Sequence, residues 1–182
     1  MRPAGYHVAL WLAAVLASAF ALLPAGAFSA QQEALTANVT GAAIQKVGFR
    51  AMIQKEAIAF NIAGAARNNP DGSVSVSLQG DKDRIDQLLA AIRSGTKKSS
   101  TNNAIAQSPA AIDASLKTFT VYGWTSTTRN ITTPYDLVFS LRPANNQISR
   151  HEAKAVWNDI AKATLKGDDL TKFLNHLDDN GD

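Results

Sequence analysis

Gly64–Gly80 reads GAARNNPDGSVSVSLQG. Its centre, Pro70-Asp71-Gly72, is turn chemistry: proline pre-sets φ and glycine tolerates a positive one. After the turn Ser73–Gln79 alternates strictly, with Val74, Val76 and Leu78 on one face, as a half-buried strand does. Ala63–Arg67 precedes the turn, so the two flanking segments are expected to pair as a hairpin.

Working upstream, Phe49, Met52, Ile53, Ala57 and Phe60 recur at steps of three and four. They mark one face of a helix ending near Asn61. A loop, TGAAIQKVG, precedes it, and before the loop Leu35, Ala37 and Val39 alternate with polar residues as a strand. Downstream, Asp81 is placed to cap a helix whose buried stripe is Ile85, Leu88, Leu89 and Ile92 and whose end is Gly95. Residues 96–116 are rich in Ser, Thr, Asn and Lys, with one irregular strand expected near Ala104–Gln107. Lys117–Trp124 is a clear strand, with Phe119 and Val121 on one face. The order strand, helix, strand, strand, helix, strand predicts an α+β protein. Its plan is the ferredoxin-like split βαβ (βαββαβ): an antiparallel sheet with two helices on one face.

Two flanks extend this plan. After Pro134, Tyr135–Leu141 reads as a further strand stopped by Pro143. Ser149 and Glu152 form an S-x-x-E capping box for a helix running to about Leu165. Gly167 interrupts it, and Asp168 caps a last helix carrying Leu170, Phe173, Leu174 and Leu177. Trp157, Val156 and Ile160 are expected to form a core stripe. At the other end, Arg2 precedes an uncharged run, Val8–Leu23, closed by Pro24 and followed by AGAFSA. The run is shorter than the about 20 residues of a membrane-spanning helix, and its small residues suit a signal-peptidase site. The expected organisation is a signal peptide over 1–30, a catalytic-type domain over 31–126 and a C-terminal extension over 127–182. The chain is expected to be exported, periplasmic or secreted, with no membrane attachment after cleavage.

Composition narrows the function. The formal net charge is +3, and Arg2 is the only charged residue before Glu33. That is too little positive charge for a nucleic-acid binder. Cysteine is absent, which removes disulfides, thiolate metal sites and Cys nucleophiles together. The histidines, His7, His151 and His176, show no metal-ligand spacing, and no G-x-S-x-G elbow occurs. No metal and no cofactor are expected.

The chemistry concentrates in two places. Gly41–Arg50 joins a strand to a helix start, where backbone N–H groups and the macrodipole favour an anion. Gly48 allows close approach, and Arg50 adds a bidentate donor. The same residues also fit a tight turn with a surface arginine. Asn68, before the Pro70 turn, can hold a water in line with a phosphorus atom, or can simply satisfy backbone groups.

Taken together, Q-x-V-G-F-R (Gln45, Val47, Gly48, Phe49, Arg50), then G-x-x-R-N-x-x-D-G-x-V (Gly64, Arg67, Asn68, Asp71, Gly72, Val74), then Gln79-Gly80 resemble the acylphosphatase family over roughly Leu35–Trp124. The resemblance implies metal-free hydrolysis of carboxyl-phosphate anhydrides. The phosphoryl group would be bound by the amides of Gln45, Lys46, Val47, Gly48, Phe49 and Arg50 and by the Arg50 side chain, and Asn68 would position the water. The partner would then be a small-molecule acyl phosphate or phosphate. The chain departs from the family pattern at Lys46, where Gly is usual, at Ala42-Ala43, where Gly-Arg is usual, and at Ala65, where Trp is usual. A positive φ at Lys46 would cost about 1 kcal/mol. The alternative expectation is a non-catalytic exported module on the same fold, binding an anion or a protein, with the C-terminal helices as a docking face.

Overall fold

The structure is a computed structural model describing residues 30–122, 137–143 and 147–171. The expected signal peptide lies outside the described residues, as do Trp124, Tyr135 and the last helix beyond residue 171.

The elements are β1 (Gln32–Thr40), α1 (Phe49–Phe60), β2 (Ala63–Asn68), β3 (Val74–Asp81), α2 (Lys82–Ser94), β4 (Ala104–Pro109), β5 (Thr118–Val121), β6 (Leu137–Ser140) and α3 (Arg150–Thr164). Among these residues the sheet runs β4-β1-β3-β2-β5-β6. The four strands of the split βαβ plan, β4-β1-β3-β2, pair antiparallel as expected. β5 then adds to β2 in parallel, and β6 adds to β5 antiparallel, so the whole sheet is mixed. The β2–β3 hairpin closes through Asn69 N to Ser73 O at 2.9 Å, and the Asp71 carboxylate caps Ser73 N at 2.9 Å.

Local chemistry explains the helix ends. Asp81 accepts from the amides of Asp83 and Arg84, and Ser149 with Glu152 forms the reciprocal capping box. Each satisfies helix-start donors that have no intrahelical partner. The α2 stripe Ile85, Leu88, Leu89 and Ile92 is buried. In α3 the buried residues are Ala153, Trp157 and Ala161, whereas Val156 is exposed. Val156 and Trp157 are adjacent and cannot share a helix face; the stripe instead follows the four-residue step.

The helices share one core with the inward residues of the sheet, among them Leu35, Val39, Val76, Leu78, Phe119 and Phe139. α1 crosses β2 and β5, α2 crosses β1 and β3, and α3 lies against α1 and β6. With the sheet beneath it and a helix on either side, α1 is buried along its whole length, including Arg50, Gln54, Lys55 and Glu56. Residues expected as an extension therefore cover one flank of the domain. Arg142 ties in further, its amide bonded to Asn61 Oδ1 (3.1 Å) and its guanidinium to Ile58 O (2.8 Å).

Among the described residues the other sheet face is open. Ala65 sits there, half-buried, in a groove of about 800 Å³ that also holds Thr36, Ser77, Arg67 and Tyr122. The small side chain at 65 is one reason this face is hollow. No helix among the described residues is long and apolar enough to cross a membrane.

Candidate functional site

The first half of the loop between β1 and α1 is pinned on two sides. On one side Ser100 N donates to Ala43 O (2.8 Å), and buried Asn103 donates to Ile92 O (2.9 Å) and accepts from Ser100 Oγ (2.6 Å). Gly41 lies against this corner: a Cβ there would come within 2.2 Å of Asn103 Oδ1. On the other side the Gln45 carboxamide donates to Asn69 O (2.9 Å) and Ser73 O (2.8 Å), fixing the loop to the hairpin turn. Gln45 thus acts through its side-chain NH2 as a strut, while its buried Oε1 has no hydrogen-bond partner among the described residues.

Just after these anchors the chain bends twice into the left-handed region, at Lys46 (φ 66) and Gly48 (φ 76). The positive φ at position 46 holds even though the residue is lysine. Such bends turn successive amides toward one point, the geometry of an anion-binding concavity. Gly48 is the N-cap of α1 and supplies no side-chain cap, and no acidic residue stands in the first turn. The first turn of α1 therefore supplies nothing that compensates the positive end of the macrodipole. Val47 is half-buried against the core and Phe49 is fully within it. Both offer the site main-chain N–H groups only.

Arg50 is tied to the end of β5, and Asn68 lies two residues beyond the β2 residue to which that end is bonded. Arg50, in the first turn of α1, is 8 % exposed and donates from Nη1 to the carbonyl oxygen of Tyr122. The Tyr122 amide in turn donates to Ala66 O (3.0 Å), two residues before Asn68 on β2. Burial lowers the Arg50 pKa to about 10, and no carboxylate among the described residues opposes that shift. The guanidinium remains charged at neutral pH without an acidic counter-group. Asn68 is 1 % exposed, and its Oδ1 has no hydrogen-bond partner among the described residues. A buried acceptor of this kind is costly unless something donates to it, and a water is a suitable donor.

The loop and the hairpin turn also border a cleft of about 410 Å³, lined by Ala42–Lys46 and by Asp71, Gly72 and Ser73. The Asp71 carboxylate, held below its ordinary pKa by hydrogen bonds from Ser73, stands on its far wall. Its negative charge disfavours an anion there. Arg67 points away, its guanidinium stacked 4.4 Å from the centroid of the Tyr122 ring.

Of the sequence-expected residues, Arg50 bonds the residue after β5, Asn68 ends β2, Lys46 and Gly48 shape the loop, and Gln45 braces it. Tyr122 was not foreseen, because it acts through a main-chain carbonyl that has no sequence signature. Gln54 was not foreseen either, being a polar residue in a helix of which the periodicity showed only one face.

Residues 35–121 match the family model Acylphosphatase. A Chlorobaculum tepidum acylphosphatase is 40% identical over 78 residues, 43% of this chain and 84% of that relative. One from Koribacter versatilis is 33% identical over 85 residues, covering 47% and 76% of the two chains. One from Methanocella arvoryzae is 46% identical over 52 residues, covering 29% and 59%. The crystal structure of the Bacillus subtilis acylphosphatase superposes with a TM-score of 0.45 at 25% identity, covering 49% of this chain and 96% of that one. On the match of residues 35–121 and the extent of the Chlorobaculum relative covered, the chain belongs to the acylphosphatase family.

Proposed function

We propose that this chain hydrolyses acyl phosphates to a carboxylate and inorganic phosphate without a metal. The observation that carries the reading is Arg50: a buried guanidinium at the end of the β1–α1 loop, with no carboxylate facing it among the described residues. The phosphoryl oxygens sit on the amides of the 45–50 loop and on Arg50. A water donating to Asn68 Oδ1 attacks phosphorus; the bond from phosphorus to the carboxylate oxygen breaks, and the electron pair leaves with the carboxylate. The water's oxygen stays on phosphorus, and its proton passes to the phosphate product or to solvent. A carboxylate leaving group has a conjugate-acid pKa near 4, so no strong acid or base is required. Positioning and charge stabilisation are what phosphoryl transfer chiefly needs.

The test is turnover of benzoyl phosphate by the purified chain in EDTA, with inorganic phosphate added as competitor. The reading expects hydrolysis that survives EDTA and competitive inhibition by phosphate. Folded protein that neither hydrolyses the compound nor binds phosphate contradicts it.

We further propose export as the setting, on the Val8–Leu23 run alone. Recovery of the protein outside the cytoplasm with a new N-terminus between Phe28 and Gln31 is the expected result. A cytoplasmic protein with an intact Met1 is the contrary one.

A further inference from the structure

Gln54 lies in the middle of α1, fully buried, one helical turn after Arg50. A buried carboxamide is tolerated only where its polar atoms are met, and here they are met by three different elements. Nε2 donates to Phe119 O on β5 (3.2 Å) and to Leu137 O on β6 (2.7 Å). Oε1 accepts from the indole Nε1 of Trp157 on α3 (2.9 Å). One side chain joins the family-type helix to β6 and α3.

The location matters more than the count. Leu137 pairs with Val121, the last rung of the β5–β6 ladder. The next residue is Tyr122, whose carbonyl holds Arg50. Gln54 therefore holds β5 at Phe119, three residues before the carbonyl that aims the guanidinium, and holds β6 opposite Val121. α1 and β5 are joined twice, by Arg50 to Tyr122 O and by Gln54 to Phe119 O, and Trp157 sets the orientation of the second tie.

We infer that Gln54 and Trp157 are positioning residues for Arg50, so that the C-terminal segment is a working part of the anion site. The inference rests on the reading of Arg50 as the phosphate ligand. Neither residue touches the substrate; each acts by holding Tyr122 O where it fixes the guanidinium. Removing the clasp loosens β5 against α1, and a displacement of about 1 Å in a positioning group costs up to about a hundredfold in rate.

The experiment uses the full chain in four forms: wild type, Gln54→Met, Trp157→Phe and Ile85→Val. The last is a buried α2 residue remote from the clasp that reports loss of packing alone. For each, the KM and kcat for benzoyl phosphate, the inhibition constant for inorganic phosphate and the Tm are measured. Gln54→Met and Trp157→Phe are expected to raise KM and the phosphate inhibition constant together by about tenfold. Ile85→Val is expected to lower Tm and leave both constants at the wild-type value. Trp157→Phe keeps an aromatic ring and loses the N–H, so it carries the test if Gln54→Met does not fold. Clasp variants with lowered Tm but wild-type KM and phosphate inhibition overturn the inference. Wild type that is not inhibited by phosphate overturns the reading of Arg50 instead, a failure visible before any variant is made.

Discussion

Arg50 and Tyr122 are joined by a hydrogen bond from a buried guanidinium to a main-chain carbonyl. A neutral carbonyl orients the guanidinium without cancelling its charge, so the site keeps a net attraction for an anion. Phosphate binding should consequently stabilise the fold. At phosphate about a hundredfold above its dissociation constant the gain is about 2.7 kcal/mol. Thermal unfolding in phosphate against chloride at equal ionic strength measures it, and Arg50→Gln should abolish the difference.

Lys46 holds a φ of 66 in the loop. A side chain in that region costs about 1–2 kcal/mol, and β-branching raises the cost because the backbone is already crowded. Lys46→Gly is expected to leave stability unchanged or to improve it, and Lys46→Val to lose about 1–2 kcal/mol. Urea unfolding midpoints of the three proteins decide this. Equal stability of the valine and glycine forms would mean that position 46 is not left-handed in solution.

Gly64 in β2 has a φ of 145, and a Cβ built there lies 1.8 Å from the carbonyl oxygen of Ser77. The neighbour is backbone in the paired strand, so it cannot swing aside. Gly64→Ala should destabilise by about 3 kcal/mol or more, read as a large fall in urea midpoint or as loss of the folded protein. A midpoint within experimental error of wild type would contradict the β2–β3 pairing described.

Lys55 is buried in α1, and desolvation lowers its pKa to about 8; Glu56 opposes the shift, while Lys154 and Arg150 add to it. A folded pKa below the ordinary 10.5 means that the unfolded chain binds more protons between the two values. Stability contributed by this group therefore rises with pH from about 8 to about 10.5. The expected gain between pH 7.5 and 9.5 is about 1–2 kcal/mol, and Lys55→Met should lose most of it. An identical pH profile in the variant would contradict the assignment.

Much of the fold could be read before any coordinates, because its cues were local. Pro70-Asp71-Gly72 fixed the hairpin, Asp81 the start of α2, and Ser149 with Glu152 the start of α3. The parallel pairing of β2 with β5 had no such cue, since strands joined through distant chain carry no turn residues to mark them. α1 was read as one-sided because Phe49, Met52, Ile53, Ala57 and Phe60 lie at helical spacing. Its burial on the other flank comes from α3, which lies far along the chain.

The candidate site rests on the family resemblance rather than on local cues alone. Gly48 beside Arg50, and Asn68 before a turn, are residue types that phosphate chemistry uses but that also fit a tight turn, and the positive φ at Lys46 is expected only because the family usually has glycine there. The Tyr122 carbonyl, the Gln45 strut and the Gln54 clasp were not legible. A backbone oxygen has no identity in a sequence, and a buried glutamine looks like any polar helix residue until its three partners assemble around it.

The decisive assay is benzoyl phosphate hydrolysis in EDTA by wild type, Arg50→Gln and Asn68→Ala side by side, each checked for folding. Removing a preorganised donor or the water-holding group should cost about a hundred- to a thousandfold in kcat/KM. The expected result is metal-independent turnover in wild type and its near loss in both variants, with phosphate inhibition retained in Asn68→Ala and lost in Arg50→Gln. Wild-type rates in either folded variant would contradict the roles given to these two residues.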